Sequence, residues 1–64
     1  MKKLWIARDK DGNLYVYLVK PVLYAGVEFF PPEPFNHDWL DLPKDYYPEV
    51  TFENSPLPLE VLLN

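Results

Sequence analysis

The segment from Lys3 to Val19 constrains the fold more than any other. Two apolar runs, Lys3 to Ala7 and Leu14 to Val19, flank Asp9-Lys10-Asp11-Gly12-Asn13. That cluster offers a glycine for the positive-φ position of a hairpin loop of roughly three to five residues. Side chains alternate along a strand, so Leu4 and Ile6 join Leu14, Val16 and Leu18 on one face, while Trp5 and Ala7 join Tyr15, Tyr17 and Val19 on the other. Neither face is polar. A hairpin solvated on one side would alternate with charge, so both faces require cover: one from the remaining chain, the other from chain, ligand or a second subunit.

After Lys20-Pro21 a short connector leads to a third strand at Val27 to Phe30, stopped by Pro31, Pro32 and Pro34, which lack the ladder N–H. A fourth strand is expected at Asp38 to Leu42. Pro43 to Tyr47 offers the one helical turn, because Pro48 forbids continuation. Val50 to Glu53 and Leu57 to Leu63 are expected as two more strands around Asn54-Ser55-Pro56, with Pro58 pushing the last toward an edge. The fold expected is mainly β: a small antiparallel sheet or barrel of about five to six short strands, with an N-terminal hairpin and at most one helical turn, in a single domain over residues 1–64.

A chain of 64 residues buries only about 60% of the surface its unfolded form exposes, so its core needs help. The chain has no cysteine and one histidine, His37, which leaves self-association as the expected helper and makes the protein an expected homo-oligomer. Apolar content of 48%, with 17% aromatic residues, suits a folded domain rather than a disordered tail. No apolar run approaches the roughly 18 residues of a membrane span, and Arg8, Asp9, Lys10 and Asp11 interrupt any signal-peptide core behind Lys2 and Lys3. The expected compartment is the cytoplasm.

Charge is divided along the chain. Lys2, Lys3, Arg8, Lys10 and Lys20 against Asp9 and Asp11 give residues 1–20 a net +3, whereas Lys44 against eight carboxylates gives residues 21–64 a net −7, for −4 in all. An acidic total argues against duplex nucleic acid as a direct partner, since such binding neutralises phosphates.

Catalytic chemistry finds little support. His37 and Asp38 are neighbours and would point to opposite faces of a strand. Ser55 precedes Pro56 in a turn, where its hydroxyl caps backbone. The carboxylate pairs among Asp38, Asp41, Asp45, Glu49 and Glu53 read as solvated loop residues, because a chain this short has little volume for a cleft between them. Asp9, Asp11 and Asn13 alternate as in a calcium loop, but the twelfth position is Lys20 rather than glutamate. The expectation is therefore a non-enzyme with no catalytic residue, no metal site and no cofactor.

The aromatic residues are more informative, because the chain holds two Trp, five Tyr and four Phe and each presents about 150 to 250 Å². Some must lie at a surface or an interface. Trp5, Tyr15 and Tyr17 stand near Arg8 and Lys10 in the hairpin, and rings interleaved with cations form a platform that stacks a base and pairs its phosphate. Those five residues are the first candidate for ligand or partner binding; Lys44, Tyr46 and Tyr47 form the second. On this reading Arg8→Ala abolishes anion binding and leaves the melting temperature nearly unchanged. On composition alone, an oligomer interface rich in Tyr and Trp is the commoner use of such rings, by about twofold or more.

Leu4-Trp5-Ile6-Ala7-Arg8-Asp9-Lys10-Asp11-Gly12-Asn13-Leu14-Tyr15, with Tyr47-Pro48-Glu49-Val50-Thr51-Phe52-Glu53-Asn54-Ser55-Pro56, resembles very short proteins encoded by bacteriophages and mobile elements of gut bacteria. The resemblance covers the two ends of the chain and implies no activity, cofactor or site residue. It does imply a context, that of accessory or anti-defence factors in the cytoplasm of a bacterial host. The function expected is that of a non-enzymatic, phage-type accessory binding protein, self-associated, that sequesters a nucleotide-like small molecule such as an immune signal. The alternatives are an acidic inhibitor that mimics nucleic acid and covers a basic surface of a host protein, and a structural or assembly module.

Overall fold

The computed structural model describes residues 2–32 and 39–61. Among these residues six short strands form: β1 Lys2–Arg8, β2 Leu14–Tyr17, β3 Val22–Tyr24, β4 Glu28–Phe30, β5 Trp39–Leu42 and β6 Leu57–Val61. They make a four-stranded sheet in the order β5-β2-β1-β6 and a separate two-stranded sheet, β3-β4, with every pairing antiparallel. The architecture is all-β and consists of two open sheets, not a barrel.

The N-terminal hairpin forms as its alternation dictates. Ile6 lies opposite Val16 and Ala7 opposite Tyr15, so the two apolar faces are those expected. On one, Ile6, Leu14 and Val50 form a core with Val16, Leu42, Leu57 and Leu59 against it. On the other, Ala7, Tyr17 and Phe29 form a second core with Trp5, Tyr15 and Phe52. Burying one such side chain contributes about 1.5 to 3 kcal/mol. The chain itself supplies cover to each face: the segment after β5 brings Val50 to the first, and β4 brings Phe29 to the second.

Hydrogen bonds to the backbone of Val27 and Phe29 fix the small sheet on the larger one. The buried Tyr17 hydroxyl donates to the Phe29 carbonyl at 3.0 Å, the Phe29 N–H donates to Asp9 Oδ1 at 2.9 Å, and the Lys10 N–H donates to the Val27 carbonyl at 2.9 Å. Satisfying both polar groups of a buried residue makes this face specific for β4 in one register.

Several expected elements are corrected. β2 ends at Tyr17 rather than Val19. The connector after Pro21 is itself a strand, Val22–Tyr24, because Ala25 (φ 55°) and Gly26 (φ 73°) make a tight turn, closed by the Val27 N–H on the Tyr24 carbonyl at 3.2 Å. β4 begins at Glu28 rather than Val27. The strand expected at Val50 to Glu53 is a turn: the Thr51 N–H donates to Asn54 Oδ1, the Asn54 N–H to Thr51 Oγ1, and Asn54 Nδ2 to the Glu49 carbonyl. These side chains offer the backbone partners that a ladder would otherwise supply. Pro43 to Tyr47 forms a turn instead of a helix, since Tyr47 has φ 50° and leaves the right-handed region. β6 does lie at an edge with Pro58 in it. Of the expected fourth strand, Trp39–Leu42 forms, while Asp38 lies outside the described residues, as do His37, Leu62 and Leu63.

Candidate binding face

The register of β2 decides what shares a face with its tyrosines. Tyr15 pairs with Ala7 on one side and Asp41 on the other, and Tyr17 pairs with Trp5 and Trp39. Paired residues project to the same side of an antiparallel sheet, so one face carries Trp5, Tyr15, Tyr17, Trp39 and Asp41. β4 lies across part of it. Between them is a cleft of about 70 Å³ lined by Asp9, Tyr15, Tyr17, Glu28, Phe29, Phe30 and Trp39. Asp9 and Glu28 also line a larger, more open depression of about 320 Å³ with Lys10, Asp11 and Val27.

The cleft, lined by Asp9 and Glu28, is electrically negative. Asp9 is 7% exposed, and its carboxyl is pushed up from the ordinary 3.8 mainly by burial, with Asp11 and Glu28 adding repulsion and the Phe29 N–H pulling the other way. The Tyr15 hydroxyl is raised first by burial and then by Asp9, Asp41, Asp11 and Glu28. Tyr17, 2% exposed, is raised further by burial and by Asp9, Tyr15, Asp41 and Glu28. Two hydroxyls thus register the same carboxylate field, which favours a cation in the cleft. Rings surround it: Phe30 and Trp39 meet edge-to-face at 6.4 Å, Tyr24 and Phe30 at 5.8 Å, and Tyr15 and Tyr17 are tilted at 6.3 Å.

No protein family, curated protein or solved structure matches the chain.

The residues expected to bind are only partly brought together. Tyr15 and Tyr17 line the cleft, and Lys10 lines the neighbouring depression. Tyr17, however, is buried and commits its hydroxyl to Phe29. Trp5 shares their face, but Lys3 Nζ and Lys20 Nζ stand over its ring at 5.1 and 5.4 Å.

Arg8 is on the opposite face, paired with Leu14. Its guanidinium carries five N–H donors and all are used: Nε on the Val50 carbonyl at 2.6 Å, Nη1 on the Gly12 and Lys44 carbonyls at 2.8 and 2.9 Å, and Nη2 on the Tyr46 and Tyr47 carbonyls at 2.9 and 3.1 Å. The guanidinium expected to pair with an anion thus has its donors on backbone carbonyls of its own chain. It is a clasp that organises the loop after β5. The second candidate, Lys44, Tyr46 and Tyr47, meets Arg8 through these carbonyls, and its side chains are exposed.

Other polar groups singled out in the sequence have structural partners. Ser55 Oγ accepts the Arg8 N–H and donates to the Thr51 carbonyl. The Asp11 carboxylate accepts both the Asn13 N–H and its side-chain amide, the latter at 3.1 Å. Among the described residues, no group of three or more His, Cys, Asp or Glu is placed to hold a metal ion, and no helix is long and apolar enough to cross a membrane. Sequence reasoning missed Asp9, Glu28, Phe30, Trp39 and Asp41 as one group. The available signal was the pairing of alternating aromatic and acidic positions in two distant segments, Glu28–Phe30 and Trp39–Asp41.

Proposed function

We propose that this protein is a non-enzymatic binder whose acidic, aromatic face docks on a basic surface of another protein. The observation that carries the reading is the convergence of Asp9, Glu28 and Asp41 around Tyr15, Phe30 and Trp39. Carboxylates set among ring faces suit arginine and lysine side chains, which gain ion pairing and cation–π contact together. The resemblance to small phage proteins gives this binder a place, as an accessory factor that covers a component of a bacterial host's defence.

A nucleotide-sequestering role has a different anchor. Lys3, Trp5 and Lys20 set two ammonium groups beside an indole, an arrangement suited to a flat anion. The two tryptophans thus sit one at each competing place. In Trp5→Phe the fluorescence reports Trp39, and in Trp39→Phe it reports Trp5. An arginine-rich peptide is expected to perturb Trp39 emission in the first variant, with nucleotides leaving Trp5 emission unchanged in the second. The reverse pattern overturns the proposal in favour of sequestration.

A further inference from the structure

We infer that the free edge of β5 is where the partner docks: an extended, basic segment of another protein adds to the sheet as a fifth strand. This rests on the proposed function and specifies the recognition. β5 pairs with β2 on one side, and among the described residues no strand pairs with its other side. Every second residue of such an edge turns its N–H and C=O outward. The other edge of the sheet, β6, contains Pro58, which has no N–H to offer. β5 has neither proline nor lysine within it, and Leu40 is 65% exposed while Trp39 is 39% exposed. One edge is thus guarded and the other open.

The side chains of β5 state what can be added. Trp39 and Asp41 project to the cleft face and Leu40 and Leu42 to the other. A strand laid antiparallel on β5 places one residue opposite Asp41, where a cation is favoured, and one opposite Trp39, where a guanidinium can lie against the indole. Its intervening residues face Leu40 and Leu42 and are apolar. The segment recognised therefore alternates basic and apolar residues over about four positions, with backbone hydrogen bonds supplying affinity and the alternation supplying specificity. A second copy of this chain fits less well. The two antiparallel registers that pair most of the strand while keeping cleft-facing side chains together set Asp41 against Asp41 or against Trp39, and they join two chains of net −4.

The test leaves the protein unaltered and varies the probe. A capped hexapeptide alternating arginine and valine is compared with the same peptide N-methylated at alternate residues, and with one of equal composition whose arginines are grouped. The alternating peptide is expected to bind, to protect β5 amides from hydrogen exchange, and to lose at least about tenfold in affinity on N-methylation or grouping. Equal binding of all three peptides overturns the edge and leaves the acidic-face reading standing. Binding by none of them overturns both. A dimer whose β5 amides are protected without peptide overturns the basic occupant in favour of a second copy.

Discussion

Arg8 makes five side-chain hydrogen bonds, all to backbone carbonyls. Its partners Lys44, Tyr46, Tyr47 and Val50 lie 36 to 42 residues away, so no local pattern could announce them, and a cation beside a turn reads from sequence as free. Arg8→Ala is expected to destabilise by about 2 to 3 kcal/mol, since several carbonyls lose a charged donor, and Arg8→Lys should recover little because three donors on a flexible stem cannot span the same carbonyls. Thermal unfolding checks this, and an unchanged melting point for Arg8→Ala would remove the clasp from the account. Asp9 behaves oppositely. Its folded carboxyl is raised above the unfolded value, so its ionised form opposes folding at neutral pH and that opposition is relieved as pH falls through the raised value toward 3.8. Asp9→Asn keeps an oxygen for the Phe29 N–H and is expected to melt higher than the wild type at pH 7, with the difference shrinking in acid. Asp9→Ala strands that N–H and should cost about 1 to 3 kcal/mol.

At the scale of elements, the β3–β4 hairpin is the piece whose docking creates the cleft. Tyr17→Phe deletes the hydroxyl on the Phe29 carbonyl and is expected to cost about 1 kcal/mol, with faster amide exchange across Val22–Phe30 than elsewhere. Ala25 holds φ 55° without glycine's freedom, so Ala25→Gly should stabilise by about 0.5 to 1 kcal/mol. The same position explains why this hairpin was illegible in the sequence: a primed turn announces itself through Asn-Gly or Asp-Gly, and here its first residue is alanine. The β1–β2 hairpin, by contrast, was legible to the level of individual faces, because period-two alternation is a local property. Val50 and Phe52 carried the same alternation and misled. They do pack on opposite faces of the sheet, but across a turn rather than along a strand, and the asparagine bonds that make that turn outweigh the pattern.

For the whole molecule, the division of charge along the chain becomes in part a division in space, with Asp9 of the N-terminal part joining the acidic cleft. The basic N-terminal residues gather at Trp5, through Lys3 and Lys20, while the acidic part builds the cleft face with Glu28, Trp39 and Asp41. The sign of each half was readable from the sequence. The face on which the carboxylates meet the aromatic rings was not, because it depends on β5 pairing with β2 and on β4 crossing above them. The most direct test of the acidic face is the salt dependence of its association with the alternating arginine–valine peptide, measured for the wild type and for the double variant Glu28→Lys, Asp41→Lys. Asp41 is exposed and Glu28 is half-buried at the cleft, and neither belongs to a buried core, so the variant should retain the wild-type fold by circular dichroism. Peptide affinity should fall with salt in the wild type, as screening shortens to about 3 Å at 1 M, and be lost in the double variant. Binding of undiminished strength in the double variant, or indifferent to salt in the wild type, would contradict docking through this face.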